Sequence, residues 1–215
     1  MKIALIGASG FVGSEILTEA LNRGFDVTAI VRHPEKLTAH PHLTAIKGDV
    51  FDQHDLSKLL IGHDAVISAF NAFGSNAAIE AYDKQIIGTY AIINAVKLSD
   101  VPRLLMVGGA GSLEIGAQKT LVDSPEFPAA WKEAALAMSE VLAILKQEDE
   151  LNWTLLSPSA MIEPGKRTNK FRLGLNTLLR DAEGHSKIST QDYAVAMVNE
   201  LERPVHVRQR FTVGY

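Results

Sequence analysis

The stretch IALIGASGFVGSEIL, running from Ile3 to Leu17, decides how the chain is read. Four apolar residues lead into Gly7, Gly10 and Gly13, spaced three apart, and Val12, Ile16, Leu17 and Leu21 follow at helical spacing. A buried strand that passes through a glycine turn into an amphipathic helix has this pattern. The glycines permit a tight turn and let a phosphate approach the main chain. The helix start, with Ser9, Phe11 and Val12 in the turn, offers unpaired N–H groups and a partial positive charge. A glycine-rich turn that holds nothing is the plain alternative, so the rest of the chain has to decide.

Outward from this stretch two periods alternate. Short, almost continuously apolar runs at Lys2–Ile6, Asp26–Val31, Leu43–Ile46, Ala65–Phe70 and Arg103–Val107 read as strands buried on both faces. Helical periods lie between them at Phe11–Arg23, Gln53–Ile61 and Ala78–Ser99. The last of these has a stripe of Ile79, Tyr82, Ile86, Tyr90, Ile93 and Val96. Such alternation predicts a parallel sheet with helices on both faces. The second half is less regular. Ala129–Glu148 reads as a helix with a stripe of Trp131, Ala135, Met138, Leu142 and Leu145, and Asn152–Pro158 as a sixth buried strand. Pro158–Lys187 reads as loops, Ser189–Glu202 as a helix capped by the pair Ser189 and Asp192, and Arg208–Tyr215 as a terminal strand. The expected architecture is α/β, a Rossmann-like doubly wound parallel sheet in a single domain. A small C-terminal substrate lobe is expected from residues 158–190 and the C-terminus.

Composition narrows the function. A length of 215 residues suits one domain. The chain has no cysteine, which removes thiol nucleophiles and Cys-based zinc sites and suits a reducing compartment, the cytoplasm. A net charge of −4 without a basic patch argues against a nucleic-acid partner. No apolar run reaches the roughly 18 residues of a membrane span, and the run before Gly7 is too short for a signal peptide, so no membrane partner is expected. His40 and His42 flank Pro41 without a third ligand, so no metal is expected either.

Inside a βαβ unit the glycine turn is better read as a dinucleotide fingerprint. An NAD site wants a carboxylate at the C-terminal end of the second strand, where it accepts from the ribose 2′-OH. Asp26 stands at the opposite end. The correct end carries Arg32, whose guanidinium can fork onto a 2′-phosphate, with Lys36 and Ser9 to help. NADP(H) is therefore expected over NAD(H), the alternative being a solvated surface arginine. Ala69, Phe70 and Asn71, beyond the fourth strand, lie where the central phosphates and nicotinamide ribose pass. Gly108 and Gly109, in VGGAGS after the fifth strand, leave room for the nicotinamide ring.

The spacing G-x-x-G-x-x-G resembles the short-chain dehydrogenase/reductase superfamily in its extended and atypical branches. KIALIGASGFVGSEI, VRHPEKL, KGDVFD, GHDAVISAF, RLLMVGGAGSLE, NWTLLSPSAMIEPG and ISTQDYAVAMVNELE follow one another as in one atypical family. That family groups NAD(P)H-binding proteins with NADH-flavin reductases and biliverdin reductase B, and the resemblance covers essentially the whole chain. It implies that Asp49 and Val50 form the adenine pocket and that Pro158 and Ser159 belong to the cofactor site. It also implies that Ser112 is the family's serine after the fifth strand.

The chain departs from the superfamily's usual chemistry, because it contains no Tyr-x-x-x-Lys. The helix where that pair belongs reads PAAWKEAALAMSE, with Trp131 and Lys132 but no tyrosine. A ketone develops charge on one oxygen and needs a positioned acid. A flavin or quinone delocalises the charge and can take its proton from solvent. The expectation is an NADPH-dependent oxidoreductase acting on a planar small-molecule acceptor, with flavin as a possible substrate. Ser112 and Lys132 are the catalytic candidates, and Phe73, Trp131, Met161 and Ile162 are candidate pocket walls. A non-catalytic NADP-binding redox sensor is an alternative; a short-chain epimerase or dehydratase is another, which the missing pair disfavours. The basic run PGKRTNKFR, residues 164–172, reads as solvated surface placed where a substrate lid would be. His185 lies in a turn before the capped helix.

Overall fold

The computed structural model describes residues 1–73 and 78–215; the side chains of Ala78 and Ile79 lie outside the described part. The first half contains β1 (Lys2–Ile6), α1 (Gly13–Asn22), β2 (Asp26–Val31), β3 (Leu43–Lys47), α2 (Gln53–Leu60), β4 (Ala65–Ser68), α3 (Ala78–Leu98) and β5 (Arg103–Val107). A small hairpin follows, β6 (Glu114–Gly116) with β7 (Lys119–Thr120), then α4 (Ala129–Lys146) and β8 (Asn152–Ser157). The chain ends with β9 (Met161–Glu163), β10 (Arg172–Gly174), β11 (Lys187–Ser189), α5 (Thr190–Glu202) and β12 (Gln209–Gly214).

The main sheet has the order β3-β2-β1-β4-β5-β8-β12-β10. Every neighbouring pair is parallel except β10 on β12. Strand order reverses between β1 and β4, which opens a crevice at the carboxyl ends of the strands. Alternate strand residues serve opposite faces. Ile3, Leu5, Leu156, Phe211 and Val213 pack with Ile16 and Leu17 of α1 and with Tyr193 and Met197 of α5. Ala4, Ile6, Leu104 and Leu155 pack with Leu56, Ile92 and Val141 of α2, α3 and α4. Ser189 caps α5, its side chain accepting from the Asp192 N–H, as its spacing suggests. Among the described residues no helix is long and apolar enough to cross a membrane.

Several local expectations need correction. Helix α1 begins at Gly13, not Phe11, and β4 ends at Ser68, so Ala69 and Phe70 are loop residues. Helix α3 keeps part of the expected stripe, with Ile93 and Val96 buried and Ile86 packed against the core, but its inner face is wider and leaves Tyr90 out. Tyr90 is 50% exposed, and Ala81, Gln85, Thr89, Ile92 and Val96 face inward. The buried polar groups there are satisfied locally, Thr89 Oγ1 donating to the Gln85 carbonyl and Gln85 Oε1 accepting from the Ala72 N–H. Trp131 is 67% exposed rather than part of the α4 stripe, which is Ala137, Val141, Leu142 and Leu145. The close approach of α4 to the rest of the molecule comes one turn later, where Ala135 and Met138 meet Gly111 and Gly109. The segment expected as loops contains β9 and β10, with β9 pairing to β11.

The basic run is exposed, as expected of solvated surface, but it is anchored. Arg167 forks onto Glu19 of α1 through Nε at 2.7 Å and Nη2 at 2.9 Å. Buried Asp192 accepts from the backbone N–H groups of Thr168 and Asn169 and from the hydroxyls of Thr168 and Tyr215. These contacts bind the run down onto α1 and α5. Arg167 in turn holds the Glu19 carboxyl below its ordinary range.

One buried titratable group reports on the assembly of the sheet. His63 Nδ1 lies 2.9 Å from the Leu60 carbonyl and Nε2 lies 2.8 Å from Thr28 Oγ1 of β2. A carbonyl only accepts, so Nδ1 carries the proton and the neutral ring accepts from Thr28. Burial holds the His63 pKa below its ordinary value. The unfolded chain therefore takes up this proton first as pH falls. Its contribution to stability should be complete above about pH 6.5 and be lost as pH falls through the lower folded value. Denaturant midpoints measured between pH 7 and pH 5 should decline, and His63→Gln should flatten that slope.

Candidate functional site

The crevice is built from its glycines. Gly7 has φ of +77°, and a Cβ there would lie 2.7 Å from the Ala69 carbonyl oxygen. A Cβ on Gly13 would lie 2.1 Å from the Gly7 oxygen. The turn is thus clamped between the end of β4 and the start of α1. Gly10 differs: a Cβ there meets only the Gly7 oxygen, at 3.2 Å. No side chain caps α1, and the N–H groups of Phe11, Val12 and Gly13 have no hydrogen-bond partner among the described residues. An exposed glycine turn that aims unpaired N–H groups outward fits a pyrophosphate.

Beside it, at the carboxyl end of β2, lies a depression of about 370 Å³ lined by Ser9, Ser14, Arg32, His33, Lys36 and Leu37. The fold thereby brings together Ser9, Arg32 and Lys36, and adds three residues that sequence reasoning passed over. None of the lining residues is acidic. Asp26 stands at the far end of β2, where it meets His42 Nδ1 at 2.8 Å. His40 Nδ1 accepts from the His42 N–H, so both histidines belong to an exposed turn.

Beyond β3, Asp49 Oδ1 accepts from the Phe51 N–H at 3.0 Å, and Val50 packs at the margin of the core. The Phe51 ring meets Phe70 edge-on, with centroids 5.9 Å apart at 86°. Phe70 in turn lies on Gly88 of α3, where a Cβ would come within 2.4 Å of its ring. Asn71 closes its own turn by accepting from the N–H of half-buried Phe73. Phe51 was visible in KGDVFD. Gly88 carries no local signal, since its role depends on a ring eighteen positions earlier.

The glycines after β5 have a packing role that spacing alone does not reveal. A Cβ on Gly108 would lie 2.3 Å from Leu155 Cδ2, and one on Gly109 would lie 2.8 Å from Met138 Cβ. Ser112 follows them, and its Oγ accepts from Arg210 Nη1 at 3.2 Å. Pro158 and Ser159 are buried, and the Ser159 hydroxyl donates to the Val213 carbonyl, which joins the end of β8 to β12. Ile162 packs with the α1/α5 core and so is not a free pocket wall, because β9 pairs Ile162 with Ile188. Met161 is 60% exposed, as befits an outer position of that pair. Trp131 and Lys132 are both exposed on the first turn of α4. In the turn before β11, Asp181 Oδ1 accepts from the N–H groups of Glu183 and His185.

The tyrosines are committed elsewhere. Tyr193 is fully buried and donates to the Leu156 carbonyl at 2.6 Å, and burial pushes its pKa far up. Tyr82 bonds Glu140, which pushes its phenol up to about 12. Tyr215 lies against Ser189 and Asp192, with burial raising its pKa. Tyr90 stands on the outer face of α3.

A glycine turn, an uncapped helix and a cationic depression at the switch point agree with what the chain matches, the NAD(P)H-binding family, over residues 7–204. The chain belongs to that family. It is 41% identical over 218 residues to the protein YwnB of Bacillus subtilis strain 168, covering 99% of this chain and 98% of that one. Among solved structures, a Bacteroides thetaiotaomicron protein provisionally named an epimerase superposes with a TM-score of 0.93 at 48% identity. That match covers 100% of this chain and 96% of the other. A Streptococcus pneumoniae TIGR4 protein provisionally named an NADH-flavin reductase gives 0.84 at 36% identity, covering 100% and 99%.

The two kinds of glycine are separable by experiment. Gly10→Val should abolish dinucleotide binding by calorimetry while the melting temperature stays within a few degrees. Gly13→Val should lower the melting temperature sharply, because its side chain meets backbone. Normal binding by Gly10→Val would mean that the turn holds no phosphate.

Proposed function

We propose that the protein is an NADPH-dependent oxidoreductase that passes hydride to a planar acceptor of the flavin or quinone class. The observation that carries the cofactor preference is the depression at the end of β2, where Arg32 and Lys36 stand with Ser9 and Ser14 and no acid lines the surface. Two cations and two hydroxyls suit a 2′-phosphate, and a guanidinium binds one through paired, charge-assisted hydrogen bonds. The free N–H groups of Phe11, Val12 and Gly13 would take the pyrophosphate. Asp49 has one carboxylate oxygen outside its turn bond to accept an adenine amine.

Bound across this crevice, NADPH would supply two electrons and a proton together as hydride, which with one further proton from water would convert the acceptor to its dihydro form and leave NADP⁺. The chain's own part is orientation and the exclusion of competing geometry. No tyrosine is placed to give up a proton: Tyr193 is buried, Tyr82 and Tyr215 are held in hydrogen bonds, and Tyr90 faces outward. That supports an acceptor able to spread its charge over a ring. It speaks against ketone reduction, and against epimerisation by a tyrosine base. A cysteine-free chain that works on a reduced dinucleotide fits the cytoplasm, with small molecules rather than nucleic acid or membrane as partners.

NADPH should bind at least about tenfold tighter than NADH, roughly 1.4 kcal/mol, and Arg32→Ala should remove most of the difference in calorimetric titrations. Equal affinities in the unaltered protein would sink the cofactor assignment. In steady-state assays NADPH should be oxidised with FMN, riboflavin or benzoquinones and hardly at all with simple aldehydes and ketones. Robust ketone reduction would show that an acid has been overlooked; silence toward every acceptor would favour a redox-sensing role.

A further inference from the structure

The depression at the end of β2 holds one side chain whose charge is not fixed. His33 lines it together with Ser9, Ser14, Arg32, Lys36 and Leu37. Its place follows from Pro34. A residue before proline is kept out of the helical region, and His33 stands at φ −132° and ψ 76° ahead of the single 3-10 turn Pro34–Lys36. The Lys36 N–H closes that turn by donating to the His33 carbonyl at 3.2 Å, so one short loop carries both residues beside Arg32.

The ring is oriented by Glu35. His33 Nδ1 lies 3.2 Å from Glu35 Oε1. A carboxylate only accepts, so Nδ1 carries the proton. Nε2 then bears a lone pair in the neutral ring and an N–H in the charged ring. Among the described residues Nε2 has no hydrogen-bond partner. Toward an ionised phosphate the two forms are opposites. The neutral ring turns a lone pair on an oxygen that can only accept, whereas the charged ring offers a charge-assisted donor.

Few other charges face this ring. β2 leads into Arg32, the turn adds Glu35 and Lys36, and the glycine turn and α1 contribute only the uncharged Ser9 and Ser14. Lys47 ends the neighbouring β3 and Asp49 follows it, but neither lines the depression. Glu35 does not line it either. Its carboxyl is held below its ordinary range by its own backbone N–H and then by His33, so it stays an acceptor across the neutral range. Imidazole is the side chain that changes charge near neutrality. A phosphate with nearly two negative charges favours the charged form of an imidazole beside it.

We propose that His33 is a specificity-determining residue for the 2′-phosphate, a donor only when protonated, so that the phosphorylated dinucleotide binds with uptake of a proton and the unphosphorylated one without. The proposal rests on the NADP(H) reading and deepens it. Arg32 and Lys36 supply charge that does not vary near neutrality, and His33 supplies charge that does. The share of the preference that His33 adds is fullest on the acid side of neutrality and is lost as pH rises.

The test compares wild type, His33→Asn and His33→Lys by calorimetric titration with NADP⁺ and NAD⁺ at about pH 6 and about pH 8. The second ionisation of the phosphate itself, near about pH 6, acts on every variant and cancels when proteins are compared at one pH. On the acid side wild type should bind NADP⁺ about three- to fivefold more tightly than His33→Asn, the scale of one exposed charge pair. On the alkaline side that advantage should disappear. NAD⁺ should not separate the two proteins at either pH. His33→Lys, whose charge persists, should bind NADP⁺ more tightly than wild type on the alkaline side. In neutral buffers of different ionisation enthalpy, wild type should take up more proton than His33→Asn with NADP⁺ and the same amount with NAD⁺. His33 is exposed, so all three proteins should melt alike. A loss in His33→Asn that is equal at both pH values, or equal proton uptake by the two proteins with NADP⁺, would overturn the role of His33 while leaving the cofactor reading intact. A wild-type protein that binds NADP⁺ no more tightly than NAD⁺ at either pH would overturn both.

Discussion

The glycine edge of the sheet depends on two steric contacts. A Cβ on Gly13 would stand 2.1 Å from the Gly7 oxygen, and a Cβ on Gly7 would stand 2.7 Å from the Ala69 oxygen. The absence of two side chains lets the end of β1, the start of α1 and the end of β4 close on each other. That closure aims the first turn of α1 at the crevice and places the ends of β2 and β4 on either side of it. The phosphate cradle is therefore a product of backbone packing rather than of any liganding side chain. Side chains then refine it, Arg32 and Lys36 on one flank and Phe51 with Phe70 on the other.

This edge could be read from the sequence because its determinants are local or directional. The glycine spacing, the apolar run before it and the helix after it occupy one short stretch. The choice between Asp26 and Arg32 needed only the rule that ligands sit beyond carboxyl ends of parallel strands. What escaped the reading depends on partners far along the chain. The residues around Arg167 read as solvated, and they are exposed, but that the run is pinned down by Glu19 could not be read, since that partner lies 148 positions away. On helix α3 the stripe through Ile86, Ile93 and Val96 was legible, but Gln85 and Thr89 were left off the inner face because a polar residue counts as an outward one in any periodicity argument. Gln85 and Thr89 face inward with their hydrogen bonds met by the adjacent loop and their own helix. Trp131 read as core by its size, but its turn of α4 lies before the helix reaches the glycines after β5.

Each tyrosine has a place that explains it without catalysis: a strand-end strut, a bridge between helices, a knot beneath the basic run, an outer helix face. The hydroxyl that follows the glycines after β5, that of Ser112, accepts from Arg210. The provisional names of the two structural relatives, one an epimerase and one a flavin reductase, show how little the shared scaffold decides about the reaction.

The hydrogen-bonded cluster of Ser112, Asn176 and Arg210 has a consequence for how the chain is divided. The cradle for the dinucleotide draws on residues up to Phe70, whereas the cluster needs Asn176 from the segment after β10 and Arg210 from β12. The glycine turn lies in the first third of the chain, whereas Asn176 and Arg210 lie in the last. Substitutions accumulating after residue 170 can therefore alter the hydrogen bonds of Arg210 without touching the backbone packing of the glycine turn.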